Sequence, residues 1–159
     1  MENAQFYRAV EGDRILCFLC PRYCKLKPGQ IGFCQVRQNV KGHLKSLVYG
    51  KPYAVNVDPI EKKPLYHFLP GSKILSIGTA GCNMACKYCQ NWDLSDTKFN
   101  EDRVIQLPPE RVIQLAVHYK TESIAYTYNE PTIFAEYAMK TDHLGQSMKL
   151  KNVMVTNGS

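Results

Sequence analysis

The stretch KILSIGTAGCNMACKYCQNW, residues 73–92, joins a β-prone run directly to three closely spaced cysteines. A short apolar run bounded by glycine predicts a buried strand over residues 73–79. The cysteines Cys82, Cys86 and Cys89 follow the carboxyl end of that strand. The polar residues among them argue against a buried helix, so this segment is expected to be a loop that carries chemistry.

Strand and helix patterns alternate through the rest of the chain. Helices are predicted at residues 108–119, opened by two prolines and a glutamate, and from Pro131 onward. Strands are predicted at residues 123–128 and 152–156. This order predicts an α/β fold with parallel strands joined by right-handed crossovers. Ligands collect at the carboxyl ends of such strands, which here read TAGCNMACKYCQN, YNEPT and TNGS.

The C-x3-C-x2-C spacing admits three interpretations. On a helix, positions i, i+4 and i+7 share one face, and the cysteines would be plain packing. A structural zinc ion usually takes four protein ligands, and this group offers three. Three close thiolates suit an iron–sulfur cluster, with one iron left open for a ligand that is not protein. We therefore predict a four-iron, four-sulfur ([4Fe-4S]) cluster at Cys82, Cys86 and Cys89.

Several motifs together resemble one known family. The C-x3-C-x2-C loop with Tyr88 before its last cysteine resembles the radical S-adenosylmethionine (SAM) superfamily. Residues 128–131, YNEP, stand where that family has Gly-Gly-Glu-Pro, and residues 156–158, TNG, resemble its pyruvate formate-lyase activating branch. The run CFLCPRYCKLKPGQIGFCQVRQNVKG with DPIEKKPLYHFLPGS is similar to the AmmeMemoRadiSam-system proteins, relatives of the glycyl-radical-enzyme activators. The resemblance covers roughly residues 15–158.

The resemblance implies a fold and a reaction. The fold is a partial TIM-like (β/α) radical SAM barrel of about three strand–helix units. The family's barrel has further units, so either the chain is a fragment, or partners or oligomerisation complete the barrel. In the reaction, a reduced cluster cleaves SAM to methionine and a 5′-deoxyadenosyl radical, which abstracts hydrogen from a protein or small-molecule substrate. A protein glycyl residue is one such substrate. The alternative is a non-catalytic iron–sulfur or zinc-binding module, or an inactive fragment of such an enzyme.

The resemblance also assigns roles to individual residues. Cys82, Cys86 and Cys89 would be the cluster ligands, and Tyr88 would lie against the adenine of SAM. The remaining SAM contacts would come from the ends of the second and third strands: Asn129, Glu130, Thr156 and Asn157. Side chains stand at Tyr128 and Asn129, where the family commonly has two glycines, so Glu130 is the firmest of these contacts.

A second group of cysteines lies near the N-terminus: Cys17, Cys20, Cys24 and Cys34. Four thiolates are enough to close a metal site, and the prolines and glycines among them supply turns. Structural zinc and a second, closed iron–sulfur cluster both fit this spacing. We favour zinc, because Arg and Lys flank the ligands and no electron route can be inferred from the sequence.

The rest of the chain is organised around these two groups. Residues 1–57 are predicted to be a Cys-rich metal-binding segment, with a metal-stapled, loop-rich knot rather than a packed core at 12–42 and a short β-hairpin at 43–57 around a Gly-Lys-Pro turn. Residues 58–72 hold three prolines and predict an extended, solvated connection. Residues 73–159 are predicted to be the N-terminal half of a radical SAM core domain.

The apolar content and the charge of the chain indicate which kinds of binding partner to expect. No apolar run approaches the length of a membrane span, and the polar N-terminus lacks the pattern of a secretory signal, so we expect a cytoplasmic location and no membrane partner. The net charge of +6 is spread along the chain without a basic stripe, which does not favour nucleic acid. By resemblance, the expected partners are SAM, the substrate and an electron donor such as flavodoxin or ferredoxin.

Overall fold

The alternating strands and helices predicted after residue 73 are confirmed in the structure, a computed structural model that describes residues 1–158. The strands in chain order are β1 (Glu2–Asn3), β2 (Tyr7–Ala9), β3 (Ile15–Cys17), β4 (Lys25–Leu26), β5 (Arg37–Val40), β6 (His43–Ser46), β7 (Ala54–Pro59), β8 (Lys73–Gly78), β9 (Ser123–Tyr126) and β10 (Lys151–Met154). The α-helices are α1 (Trp92–Ser95), α2 (Pro109–His118) and α3 (Ala135–Gln146). Short 3-10 helices cover Ile60–Lys62, Glu101–Arg103 and Pro131–Phe134.

The largest sheet has four strands in the order β10-β9-β8-β7. Strands β8, β9 and β10 are parallel, as the strand–helix–strand pattern predicts, and β7 pairs antiparallel with β8 at one edge. Residue 109 starts α2 because a proline at the first turn loses no hydrogen bond. The sequence therefore arranges three parallel strand ends side by side, next to the cysteine loop.

Apolar side chains from β8 and β9 pack under α2 and α3 to form the main core. Its fully buried members include Leu75, Ile77, Ile124, Val112, Ala116, Phe134 and Tyr137. Burying each of the larger ones contributes about 1.5–3 kcal/mol, so this layer fixes the sheet on which the site is built. No helix within residues 1–158 is long and apolar enough to cross a membrane.

The N-terminal segment contains two small three-stranded sheets, with strand orders β2-β3-β4 and β1-β6-β5. Contrary to the expected knot of loops, these sheets enclose a small core of their own, which contains Ile15, Leu26 and Leu44. This core is not predictable from the sequence, because its apolar residues lie on strands that are too short to show a periodic pattern.

The hairpin of this segment is not where the sequence predicts it. The turn lies at Lys41–Gly42, between β5 and β6, and both residues have positive φ (50° and 83°). Two residues with positive φ form the tight turn that matches the twist of antiparallel strands. The predicted turn at residues 50–52 instead carries the chain from β6 to β7, which belongs to the four-stranded sheet.

Candidate cluster and cofactor site

The carboxyl ends of β8, β9 and β10 surround an open cleft of about 250 Å³. Its lining unites the three predicted segments and includes Cys82, Cys86, Cys89, Asn91, Ser95, Tyr128, Asn129, Glu130 and Asn157. Of the five residues predicted to contact SAM, Asn129, Glu130 and Asn157 thus lie at the cleft. This is the position where ligands bind in parallel α/β sheets.

The three cysteines lie on a loop between β8 and α1, without helical structure from residue 81 to residue 89. Helical packing is therefore excluded as the reason for their spacing. Cys86 is exposed, and Cys82 and Cys89 are half-buried. Their thiols face the same cleft from one short loop, an arrangement that suits the binding of one compact group rather than three independent contacts.

Hydrogen-bond donors already lie next to two of these thiols. The backbone N–H of Met84 donates to Cys82 Sγ over 3.5 Å, and Ser95 Oγ lies 3.1 Å from Cys89 Sγ. The first turn of α1 places the hydroxyl there, and Ser95 Oγ also donates to the carbonyl of Asn91. The Ser95 hydroxyl has a single proton, and a thiolate has none to donate. If Cys89 binds metal as a thiolate, the hydroxyl would therefore turn its proton from the Asn91 carbonyl to the sulfur.

Replacing Ser95 with alanine is expected to make the reduction potential of the bound cluster more negative by tens of millivolts. Hydrogen bonds to cluster sulfurs stabilise the more negative, reduced state, and about 1 kcal/mol corresponds to roughly 40 mV for one electron. Redox titration followed by electron paramagnetic resonance measures the shift. Ser147→Ala is the matched control, since that hydroxyl also donates to a nearby carbonyl on a helix but lies outside the cleft. A Ser95→Ala potential equal to that of the control would contradict the contact.

Asn129 holds the start of the cysteine loop. Its side-chain oxygen accepts the N–H of Thr79 (3.2 Å), and its Nδ2 donates to Thr79 Oγ1 (3.1 Å) and to the carbonyl of Gly81 (2.6 Å). The side chain is buried, and these bonds fix the exit of β8 against the end of β9. Asn129 is therefore a positioning residue for the loop, a role that the sequence does not reveal because its partners lie about 50 positions away.

Glu130 joins the ends of β9 and β10. Its Oε1 accepts Thr156 Oγ1 (2.7 Å) and both the N–H and the hydroxyl of Thr132, while its Oε2 accepts the N–H of Asn157 (2.8 Å). Each carboxylate oxygen has about two acceptor positions. Oε2 accepts one donor and keeps capacity for a ligand donor, whereas Oε1 already accepts three. The structure thus links Glu130 directly to Thr156 and Asn157, two other predicted SAM contacts.

Tyr128 takes a backbone conformation that glycine adopts more easily, with φ of 72°. Its side chain is anchored on β7: the hydroxyl donates to Asp58 Oδ2 (3.2 Å) and accepts from Asn56 Nδ2 (3.0 Å). A Cβ on Gly78 would lie 2.8 Å from the Tyr128 ring, so the small residue beneath makes room for the large one. This packing accommodates a tyrosine at the position where the Gly-Gly-Glu-Pro motif of the resembled family has its first glycine.

Asp58 and Lys63 form a buried ion pair beside that tyrosine, in contrast to the solvated connection predicted for residues 58–72. The Lys63 ammonium lies 2.8 Å from Asp58 Oδ2 and 4.7 Å from the Tyr128 ring centre. Burial opposes ionisation of Asp58, but Lys62 and Lys63 together hold the pKa of its carboxyl well below the usual range. The connection is thus fixed by charge to the end of β9 rather than left in solvent.

Tyr88 lies apart from the other predicted contacts. Its side chain is 92% exposed and does not line the cleft. Thr156 does not line the cleft either, but its hydroxyl donates to Glu130, which does. The roles of these two residues toward SAM remain predictions.

The four N-terminal cysteines line one small pocket of their own. Burial raises the pKa of the Cys34 thiol to about 12, and it raises the pKa of the Cys17 thiol as well. Within residues 1–158, no group of three or more His, Cys, Asp or Glu side chains is already closed to metal-binding distances. This holds equally for the loop of Cys82, Cys86 and Cys89, so both groups would have to tighten around a metal.

The residues of the cleft fit a cluster with an open coordination position. Three thiols come from one loop, donors face two of them, and the space beside them is bounded by polar groups from the residues that follow β9 and β10. When bound, such a cluster supplies one-electron chemistry. The protein supplies the ligands, the donors to sulfur and the surrounding wall.

Comparison with known proteins bears on this site. The family model of the radical SAM superfamily matches residues 76–159, just over half of the chain. A relative, "Uncharacterized protein MJ0808" of Methanocaldococcus jannaschii, is 39% identical over 158 residues, which are 99% of this chain and 47% of that protein. The chain thus spans about half the length of this curated relative, and no solved structure matches it. The match begins in β8 and includes the three-cysteine loop and the ends of β9 and β10: the chain belongs to the radical SAM superfamily.

Proposed function

We propose that this chain uses Cys82, Cys86 and Cys89 to hold a [4Fe-4S] cluster at which SAM is cleaved reductively to methionine and a 5′-deoxyadenosyl radical. The observation that carries the proposal is the convergence of three thiols on one loop with the ends of β9 and β10 around a single cleft. Membership of the superfamily supports the same chemistry. Three protein thiolates leave one position for a ligand from outside the chain, which SAM fills.

The cleft offers groups that match the polar end of SAM. Its amino group needs acceptors, and Glu130 Oε2 keeps acceptor capacity while lying at the cleft. The fixed positions of Thr156 and Asn157 around Glu130 keep that oxygen in place without reorganisation. In this proposal Glu130 orients SAM, and Asn129 orients the loop that carries the cluster ligands.

The finer assignment rests on the sequence resemblance. The N-terminal run at 17–42 and the TNG turn at 156–158 support a relative of the glycyl-radical-enzyme activators within the AmmeMemoRadiSam group. The substrate is then a protein or small molecule that gives up a hydrogen atom. The net charge of +6 suits docking of an acidic electron carrier, such as a flavodoxin or ferredoxin.

The proposal is tested by SAM cleavage after anaerobic reconstitution with iron and sulfide. With dithionite as reductant, the wild-type protein is expected to produce 5′-deoxyadenosine, measured by chromatography, and to change its reduced-cluster resonance spectrum when SAM is added. Cys82→Ser, Cys86→Ser and Cys89→Ser are each expected to reduce the product to the protein-free background, because each removes one of only three ligands. Ser147→Ala, at an exposed position, serves as the control variant.

Two outcomes would count against the proposal. A reduced wild-type cluster that leaves SAM intact and whose spectrum is unchanged by SAM would identify an electron-carrying module instead. Full product formation by any of the three cysteine variants would show that the cluster is held elsewhere. The spectral arm does not depend on a substrate, so it remains informative while the substrate is unidentified.

A further inference from the structure

The cysteines outside the cleft converge although they come from one strand end and two different turns. Cys17 ends β3, Cys20 and Cys24 lie in the turn to β4, and Cys34 lies in the turn before β5. All four line one pocket and all four are free thiols, with Cys17 and Cys34 buried. Hydrogen bonds close these turns, among them the N–H of Cys17 to the carbonyl of Cys24. The backbone therefore brings four potential ligands to one pocket, where they would have to tighten around a metal.

Two backbone groups beside the pocket offset part of the burial that raises the pKa of the Cys17 and Cys34 thiols. The backbone N–H of Leu19 faces the Cys17 thiol, and that of Val36 faces the Cys34 thiol. Gly32 leaves open the space next to two thiols, because a Cβ there would lie 3.7 Å from Cys24 Sγ and 3.9 Å from Cys34 Sγ. N–H donors to sulfur are the outer contacts that orient thiolate ligands of metals.

Arg37 provides a second, independent indication of a bound group. Its side chain is 2% exposed and lines the pocket, and its NH1 and NH2 are held by Glu136 and by the carbonyl of Gln5. Its Nε, in contrast, is buried without a hydrogen-bond partner in the part of the chain that the structure describes. A buried donor left unpaired costs about 1–3 kcal/mol. The guanidinium acts electrostatically on the thiols of Cys17 and Cys34. Glu136 already compensates its charge, so a thiolate sulfur there would instead serve as the acceptor that Nε lacks.

The size of the pocket discriminates between a single ion and a cluster. The pocket that the four cysteines line together with other side chains, such as Phe33 and Ile133, has a volume of about 10 Å³, which holds about one water-sized sphere. The same measure gives about 250 Å³ for the cleft beside Cys82, Cys86 and Cys89. The smaller space favours one metal ion over a cube of four irons and four sulfides, which needs far more room. Four thiolates in a closed site are typical of structural zinc.

We propose that Cys17, Cys20, Cys24 and Cys34 bind one structural zinc ion, and that this ion fixes the N-terminal segment against the loop that carries the cluster ligands. Two contacts join the N-terminal segment to this loop. Arg22 Nε donates to the carbonyl of Asn83 over 3.0 Å, and the carbonyl of Cys34 packs so closely on Gly81 that a Cβ there would overlap it. Gly81 and Asn83 flank Cys82, so the proposed zinc site supports the loop from both sides of its first ligand.

Metal analysis of the purified protein tests the assignment. We expect about one zinc per chain in the wild type, and the same zinc content in a triple variant with Cys82, Cys86 and Cys89 all changed to serine, in which iron is lost. Cys20→Ser and Cys24→Ser are expected to lose the zinc. Cys20→His is the conservative variant, and it should retain the zinc because Cys3His sites bind it as well.

A second measurement covers the case in which the serine variants do not fold. Cobalt(II) added to metal-free wild-type protein is expected to give the absorption of a tetrahedral thiolate complex at one equivalent, and zinc should displace it. About four irons retained by the triple serine variant, with no zinc, would establish a second cluster and overturn the proposal. Failure of cobalt and zinc to bind would overturn it as well.

The effect on the cluster loop is measured separately. Removing zinc is expected to lower the iron retained by reconstituted protein several-fold, since Gly81 and Asn83 lose their fixed neighbours. Iron retention that is unchanged in zinc-free Cys20→Ser protein would limit the zinc to the N-terminal segment and contradict support of the loop. None of these readouts uses SAM cleavage, so this proposal and the proposed function can fail independently.

Discussion

Replacing Arg37 with methionine is expected to lower the free energy of unfolding by about 3–5 kcal/mol, the usual cost of leaving a buried charge without its partner. Arg37 NH1 and NH2 each lie 2.8 Å from one carboxylate oxygen of Glu136, and both residues are nearly inaccessible to solvent. Methionine fills a similar volume but cannot compensate the Glu136 charge. Urea denaturation followed by circular dichroism on metal-free protein measures the change.

A double variant separates the ion pair from the packing around it. Arg37→Met combined with Glu136→Leu is expected to recover a large part of the loss, because an apolar pair avoids the unpaired charge. Recovery is incomplete, since the N–H and the carbonyl of Gln5 lose their partners on Glu136 and Arg37. Lys51→Met is the control: its ion pair with the exposed Glu101 lies at the surface and should matter much less. A single Arg37→Met variant as stable as this control would contradict the role assigned to the pair.

Replacing Gly81 with alanine is expected to prevent the cysteine loop from closing on the N-terminal segment. Gly81 has a φ of 77°, and its missing Cβ is the space that the Cys34 carbonyl occupies. The methyl group would displace either the cysteine loop or the backbone at residue 34. The carbonyl of Cys34 cannot rotate away as a flexible side chain could. We expect a destabilisation of several kcal/mol and iron loading reduced at least several-fold, measured by thermal unfolding and by the iron content after reconstitution.

Gly71→Ala is the matched control for this variant. Gly71 has almost the same φ, 79°, but nothing lies within 4 Å of the position of its Cβ. It therefore carries the conformational cost of about 1–2 kcal/mol for a left-handed residue without the steric overlap. Equal stability and iron loading in the two alanine variants would show that the contact between Gly81 and Cys34 is unimportant.

The central strands and helices were predictable because each carries a local signal. An apolar run predicts β8, and prolines at residues 108, 109 and 131 mark the beginnings of two helical segments. The pairing of β7 with β8 was not predictable in the same way, because antiparallel pairing across a long connection leaves no local pattern. The buried ion pair of Asp58 and Lys63 was not predictable for a related reason. Charged residues among prolines are typical of solvated loops, and only the tertiary contacts show that this pair is buried.

The candidate site was predictable as a set of segments but not as a set of contacts. The spacing of the cysteines, and the tendency of ligands to bind at the carboxyl ends of parallel strands, predict which three loops meet. In the structure these loops line one cleft. No pattern predicts that Ser95 faces Cys89 or that Asn129 holds Thr79 and Gly81, because such bonds depend on side-chain directions after folding. Glu130 shows the same limit: its position follows from the motif, whereas its bond to Asn157 does not.

The pairing of Arg37 with Glu136 also constrains the order of assembly during synthesis. The two residues are 99 positions apart, and a ribosome adding about 5–20 residues per second releases the first several seconds before the second. Until α3 emerges, the N-terminal segment holds a guanidinium that it cannot bury favourably. The burial of Arg37 in the N-terminal segment therefore becomes favourable only after α3 has emerged from the ribosome.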